Sequence, residues 1–159
     1  MESRAVLIAR KDRQIKIEKN TDMMRYSFGV IRENASEQFL RSVGVHPDQL
    51  VYLSSPRIIA QAMDRGRVDV WPYEELSADW VLREQGMRPA DFETVGIMST
   101  GQLYFAFHVD TDEAVLAEVQ RVLNEIKADG TFVHILNNYK GAATGFTGEA
   151  AAAVPGPSN

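Results

Sequence analysis

Cysteine is absent from the 159 residues, which excludes a disulfide scaffold, a thiol nucleophile and any zinc or iron–sulfur site held by thiolates. The compartment stays open, because a disulfide-free chain can reside on either side of a membrane. Histidine is scarce: His46, His108 and His134 stand far apart with no helical i, i+4 partner. No metal site is therefore expected, and each histidine reads as a surface or capping residue. Positive charge is in the minority, 17 basic residues against 22 acidic for a formal charge of −5. Such a surface repels a phosphate backbone, so no nucleic-acid partner is expected. Long apolar runs are missing too. The longest stretch free of formal charge, Thr94 to Val109, contains Ser99, Thr100, Gly101, Gln102 and His108 and is shorter than a bilayer-crossing helix requires. Near the N-terminus only Ala5 to Ala9 is continuously apolar, too short for the hydrophobic core of an export signal. Neither a nucleophile elbow, nor a glycine-rich phosphate loop, nor a Ser, His and Asp arrangement can be read from spacing. No catalytic residue and no cofactor is assigned.

What is present is ordinary globular composition, 45% apolar and 25% charged, enough for a domain with its own core. Residues 4 to 9 read as a short buried strand, followed by a charged connection to about residue 22. Strands are expected at Tyr26 to Ile31, Gln49 to Leu53, Arg67 to Tyr73, Phe92 to Met98 and Leu103 to His108. Between them lie three helices. Asn34 is placed as an N-cap with Glu37 at capping-box spacing, on a helix that stops at Gly44. Ser55 caps a second helix with Pro56 at its first position, Ile58, Ile59, Ala62 and Met63 on one side and Gly66 at its end. The third runs from about Glu74 to Gln85. Alternating strands and short helices joined by capped turns predict an α/β fold, a mixed and mostly parallel sheet with helices on both faces. Ligands of such sheets sit outside the carboxyl ends of the strands, which directs attention to the turns after Ile31, Leu53 and Tyr73.

Beyond the sheet the pattern changes. Asp112 to Asp129 is expected to be helical with Val115, Val119, Val122, Leu123 and Ile126 along one face; Asp129-Gly130 breaks it, and Thr131 caps a shorter helix bearing Phe132, Ile135, Leu136 and Tyr139. Left wet, these apolar side chains represent on the order of 10 kcal/mol, so the faces require a partner, and a homodimer through them is favoured. Residues 141 to 159 are rich in Gly, Ala and Pro and are expected to be disordered.

Two turns carry candidate chemistry. After Ile31 the free N–H groups of a helix start, together with Arg32, can hold an anion or a ligand carboxylate, although Asn34 and Ser36 can equally serve only as caps. In the run Asp69 to Glu75, Glu74 falls at the strand end beside Trp71 and Tyr73, where a carboxylate and a π-face can hold an ammonium group. The competing reading makes Glu74 and Glu75 first-turn helix acids and the aromatic rings core.

The string Val6 to Asp12, the strand Tyr26 to Ile31, the turn Met63 to Asp69, and Lys127 to Phe132 leading to Asn138 and Tyr139 stand in register over about residues 4 to 140. Together they resemble the bacterial family 3 solute-binding proteins, the extracytoplasmic receptors of amino-acid ABC transporters. The resemblance implies a type II periplasmic-binding fold, with ligand trapped between two lobes joined by hinge strands. On that mapping residues 1–10 are a hinge strand, 11–102 the second, ligand-binding lobe, 103–140 the return hinge strand and C-terminal helices that pack on the first lobe, and 141–159 the tail. Most of the first lobe, with its carboxylate-clamping arginine, is not in the sequence. The resemblance further implies that Glu74 faces the ligand amine, where the family has Asp, and that Arg32, Glu33, Asn34, Ala35 and Ser36 replace the family's Gly-Thr-rich loop. The site residues are accordingly Glu74, Arg32, Asn34, Ala35, Ser36 and Tyr73. The implied partners are a small amino-acid-like solute and a transporter permease, and the implied location is periplasmic. A protein-interaction or sensor module with a vestigial cleft, and a dehydratase-like enzyme on the same fold, are the alternatives.

Overall fold

The computed structural model describes residues 2 to 140, so the tail expected to be disordered, 141 to 159, lies outside the described residues. Five strands, β1 (Glu2–Arg10), β2 (Phe28–Val30), β3 (Leu50–Tyr52), β4 (Val70–Glu74) and β5 (Phe92–Gln102), form one sheet in the order β3-β2-β4-β1-β5. β2 lies parallel to both β3 and β4, whereas β1 runs antiparallel to β4 and β5. The sheet is thus mixed, as expected, with two parallel and two antiparallel strand pairings.

Side chains alternate across it. Leu7 and Ala9 of β1 enter a core with Phe28, Val30 and Leu50 that α1 (Ala35–Ser42) closes through Leu40. Val6 and Ile8 enter a second core around Trp71, closed by α2 (Pro56–Asp64) through Ile59, Ala60 and Met63, and by α3 (Glu75–Glu84) through Ala78 and Leu82. Helices therefore cover both faces. At Gly29 an added Cβ would stand 2.6 Å from Ile59 Cγ2, so β2 and α2 approach as glycine alone permits.

Several expectations are corrected. Leu103 to His108 forms no strand: β5 continues to Gln102, and beyond it the chain leaves the sheet without a partner. The connection after β1 is more than a charged linker, because Ile15, Ile17 and Met23 plug the α1-side core. Ile58 is exposed, and the buried side of α2 carries Ala60 beside Ile59 and Met63. The fourth strand starts at Val70, not Arg67, which leaves Asp69 before it. There the Ser27 N–H and hydroxyl donate to Asp69 Oδ2 (3.0 and 2.8 Å) and Arg13 lies 2.7 Å from Oδ1, tying the start of β2 to β4.

After β5, α4 (Glu113–Ala128) and α5 (Thr131–Lys140) stand off the sheet. Thr131 is the first residue of α5 and not its cap; the Asp129 carboxylate accepts from its N–H (2.8 Å). The hydrogen bonds from Thr131 hold the Asp129 carboxyl below its usual range. Trp80 of α3 meets Tyr139 of α5, with ring centroids 5.2 Å apart, and fastens the pair to the lobe. No residue of α4 is buried. A groove of about 700 Å³ between residues 102–107 and the two helices is lined by Leu103, Phe105, Phe107, Leu116, Leu123 and Phe132. The apolar faces expected to need a partner are not covered by the described residues. Among the described residues no helix is long and apolar enough to cross a membrane, and no cluster of ligating side chains could hold a metal ion.

Candidate functional site at the carboxyl ends of the parallel strands

Since β2, β3 and β4 are parallel, their carboxyl ends share one edge of the sheet, and α1, α2 and α3 all begin there. The turn after β2 leads to α1 on one face, while the turn after β4 leads to α3 on the other. Two adjacent strands whose exits diverge in this way open a crevice between them, the usual ligand position in open α/β sheets. One hydrogen bond spans it: the Ser36 hydroxyl donates to the Pro72 carbonyl (3.1 Å). Ser36 is therefore a cross-strap and not a cap, and it brings the 32–36 turn beside Glu74.

The turn itself is rigidly specified. Asn34 caps α1, its side chain accepting from the Glu37 N–H (2.9 Å), as the sequence indicated. The other half of the capping box differs. Instead of returning to Asn34, the Glu37 carboxylate accepts from the Glu33 N–H (2.6 Å), which holds Glu33 in the left-handed region at φ 61°. Its second oxygen accepts from the Tyr52 hydroxyl (2.8 Å) and pairs with Arg41 (3.1 Å). The Glu33 N–H, then the Tyr52 hydroxyl, hold the Glu37 carboxyl below the usual glutamate range, with Arg41 and Arg32 adding smaller effects. Glu37 and Tyr52 were not among the residues singled out from sequence; the capping-box spacing marked Glu37, but as a cap.

Arg32 projects over the Tyr52 ring, its guanidinium carbon 4.2 Å from the centroid, and makes no ion pair or hydrogen bond among the described residues. Trp71 is fully buried, stacked on Tyr73 with centroids 4.9 Å apart. Tyr73 alone of the two reaches the edge; partial burial, then the Glu74 charge, raise its hydroxyl above the usual tyrosine range.

Glu74 takes a helix-start role, close to the competing reading. It is the N-cap of α3, accepting from the Leu76 N–H (3.2 Å), the Ser77 N–H (2.7 Å) and the Ser77 hydroxyl (2.7 Å). These bonds leave part of a carboxylate's acceptor capacity open. Glu75 instead turns toward Arg4 (3.6 Å) and Thr94. Arg32, Asn34, Ala35 and Ser36 thus lie on the turn from β2 into α1, and Tyr73 and Glu74 at the end of the neighbouring β4, with the Ser36–Pro72 hydrogen bond joining the two segments.

No family model matches the sequence, and no curated protein matches it. Solved structures do resemble it. The L-cystine solute receptor of Neisseria gonorrhoeae in the unliganded open conformation superimposes with a TM-score of 0.65 at 21% identity, over 92% of this chain and 60% of the receptor. An ancestral arginine-binding protein bound to arginine gives 0.62 at 21%, over 89% and 62%. A histidine kinase sensor domain with similarity to periplasmic binding proteins gives 0.64 at 16%, over 88% and 60%. The chain therefore spans about three fifths of the length of these proteins. Its five-stranded mixed sheet with flanking helices has the periplasmic-binding-protein-like fold of amino-acid solute receptors.

Proposed function

We propose that the chain is a ligand-binding lobe of a solute receptor, the substrate-binding component of an ABC-type transporter, for a polar amino acid or similar small amine-bearing solute. The observation that carries this reading is the crevice in which Ser36 straps the Arg32 to Ser36 turn against β4, beside Glu74. Glu74 receives the ligand amine through its open acceptor sites. The first turn of α1 receives the carboxylate, because the Ala35 and Ser36 N–H groups have no partner among the described residues. The likeness to receptors for cystine and arginine supports a small-molecule ligand. It also supports a periplasmic location and a permease as the downstream partner. The chain is read as a binder and not an enzyme: Glu74 is already a triple hydrogen-bond acceptor, which suits a fixed anchoring group better than a proton shuttle. Isothermal titration of the 159-residue chain against a panel of polar amino acids should give heat for at least one of them. A folded chain silent toward the whole panel would refute the reading.

The domain boundaries follow from the same mapping, with residues 1–10 and the segment after Gln102 as the two crossings and 11–102 as the lobe. The likeness to a kinase sensor domain favours a second reading, a sensor module in which the same lobe reports its ligand to a signalling partner instead of a permease.

The exposed α4 and α5 faces lead to a further expectation. We infer that they bind a second copy of the chain, each copy offering the same apolar groove in an isologous contact. Chromatography with in-line light scattering should report a dimer at micromolar concentration. A stable monomer under those conditions overturns the expectation.

A further inference from the structure

Beyond Gln102 the chain presents an edge that nothing blunts. β5 is an outer strand of the sheet, and its ladder with β1 stops at the Glu2–Gln102 pair. Among the described residues, the backbone groups of Leu103 to Phe107 have no backbone partner. Edge strands are ordinarily protected by charge, proline or bulges. Both irregularities of the β1–β5 ladder fall before Ser99, and Thr94 to Val109 contains neither a formal charge nor a proline. The side chains are as open as the backbone: Tyr104, Phe105 and Phe107 are 85, 70 and 46% exposed, and Leu103 and Val109 are exposed as well.

The order of residues in this run is complementary to itself. Turned antiparallel about Phe105, it sets Leu103 opposite Phe107 and Tyr104 opposite Ala106, with Phe105 facing its own copy. The polar ends also meet, Gln102 opposite His108. Each apolar position thus finds an apolar one, and no pair brings two formal charges together. The chain carries −5 overall, so two copies repel over much of their surface, and the uncharged stretch is where they can approach. At about 200 Å² for a fully exposed ring, the three rings offer about 400 Å² per copy, or about 800 Å² from two copies toward the roughly 1,200 Å² that a stable interface needs. The remainder is at hand in the apolar groove between residues 102–107 and the two C-terminal helices, beside the exposed Val115, Leu116 and Val122 of α4.

We propose that residues 102–108 become a strand by pairing with the same segment of a second copy, antiparallel about Phe105, which joins the two sheets edge to edge. This rests on the dimer expected above, whose two-fold axis it places, and not on the identity of the ligand.

The absence of cysteine makes the register directly measurable. In the full chain carrying Phe105→Cys, the paired thiols stand on residues directly opposite, about 4.5–5.5 Å between Cα atoms, within the reach of a disulfide. Mild oxidation at micromolar concentration is expected to link this variant into a covalent dimer at least about tenfold faster than Val109→Cys, whose thiols the same register sets about 27 Å apart. Phe105→Lys places two ammonium groups on the two-fold axis. It should be monomeric by light scattering where the unaltered chain is dimeric, with its circular dichroism retained because the side chain is exposed. Phe105→Leu should stay dimeric. A Phe105→Lys variant that remains a dimer, or equal linking rates at 105 and 109, would overturn the strand pairing and leave a dimer through the helices standing. A monomeric unaltered chain would overturn both, and open-ended fibres in place of a dimer would overturn the closed pair.

Discussion

Replacing Trp71 by alanine is expected to lower the unfolding free energy by about 3–5 kcal/mol, the range for deleting a large buried aromatic. Trp71 is completely inaccessible and joins β4 to the core under α2 and α3, among Ile59, Met63 and Leu82. Its neighbours come from a strand and two helices, so they cannot all collapse into the space, and the penalty falls at the upper end. Against a domain stability of about 5–15 kcal/mol, that loss leaves much of the protein unfolded on modest warming. Trp71→Phe discriminates packing from polarity. The indole N–H is buried with no hydrogen-bond partner among the described residues, a burden of about 1–3 kcal/mol that phenylalanine does not carry. The phenylalanine variant should therefore recover most of the stability, the smaller ring's void being partly offset by the removed donor. Urea unfolding followed by circular dichroism gives both numbers. A phenylalanine variant as unstable as the alanine one would show that ring size alone decides the site.

Glu74→Gln is the second large effect, and it falls on binding. The amide keeps an oxygen that can accept from the Ser77 N–H, so the cap of α3 survives with a loss below about 1 kcal/mol. The negative charge does not survive. A charge-assisted hydrogen bond to an ammonium is worth about 1.5–3 kcal/mol, so affinity for the best amino acid should fall roughly 10- to 100-fold. Chemical denaturation and calorimetry on the same variant separate the two roles. A variant with intact stability and undiminished affinity would place the amine elsewhere.

The capped turns were legible in the sequence because their signals are local. Asn34 before Glu37, Ser55 before Pro56, and Gly44 and Gly66 after the last turns of their helices lie at the positions expected of them. The two-faced sheet followed from the alternation of strands and helices. Leu103 to His108 carries the aromatic alternation of a strand, yet it is not one. A strand is defined by its neighbours, and β1 has already spent its length pairing with β5 as far as Gln102. The site divided along the same line. Residues beside a strand end, Arg32 and Glu74, were visible; Tyr52 and Glu37 were not, because the ring reaches Arg32 and the carboxylate reaches Tyr52 across 15 or more positions of chain. Trp71 and Tyr73 are adjacent alternating positions with unlike fates, one sealed under two helices and the other at the rim.

The place of β1 in the sheet has a consequence for how the molecule is made. β1 precedes the other four strands in chain order, but it occupies the position between β4 and β5, with Ala5 opposite Glu74 and Arg4 opposite Thr100. Closing such distant contacts is entropically costly and slow. The β3-β2-β4 half, whose pairings are nearer in sequence, can assemble while the first ten residues wait unpaired as an apolar segment. Until β4 and β5 have been synthesised, that segment has no strand to pair with and stays exposed to aggregation.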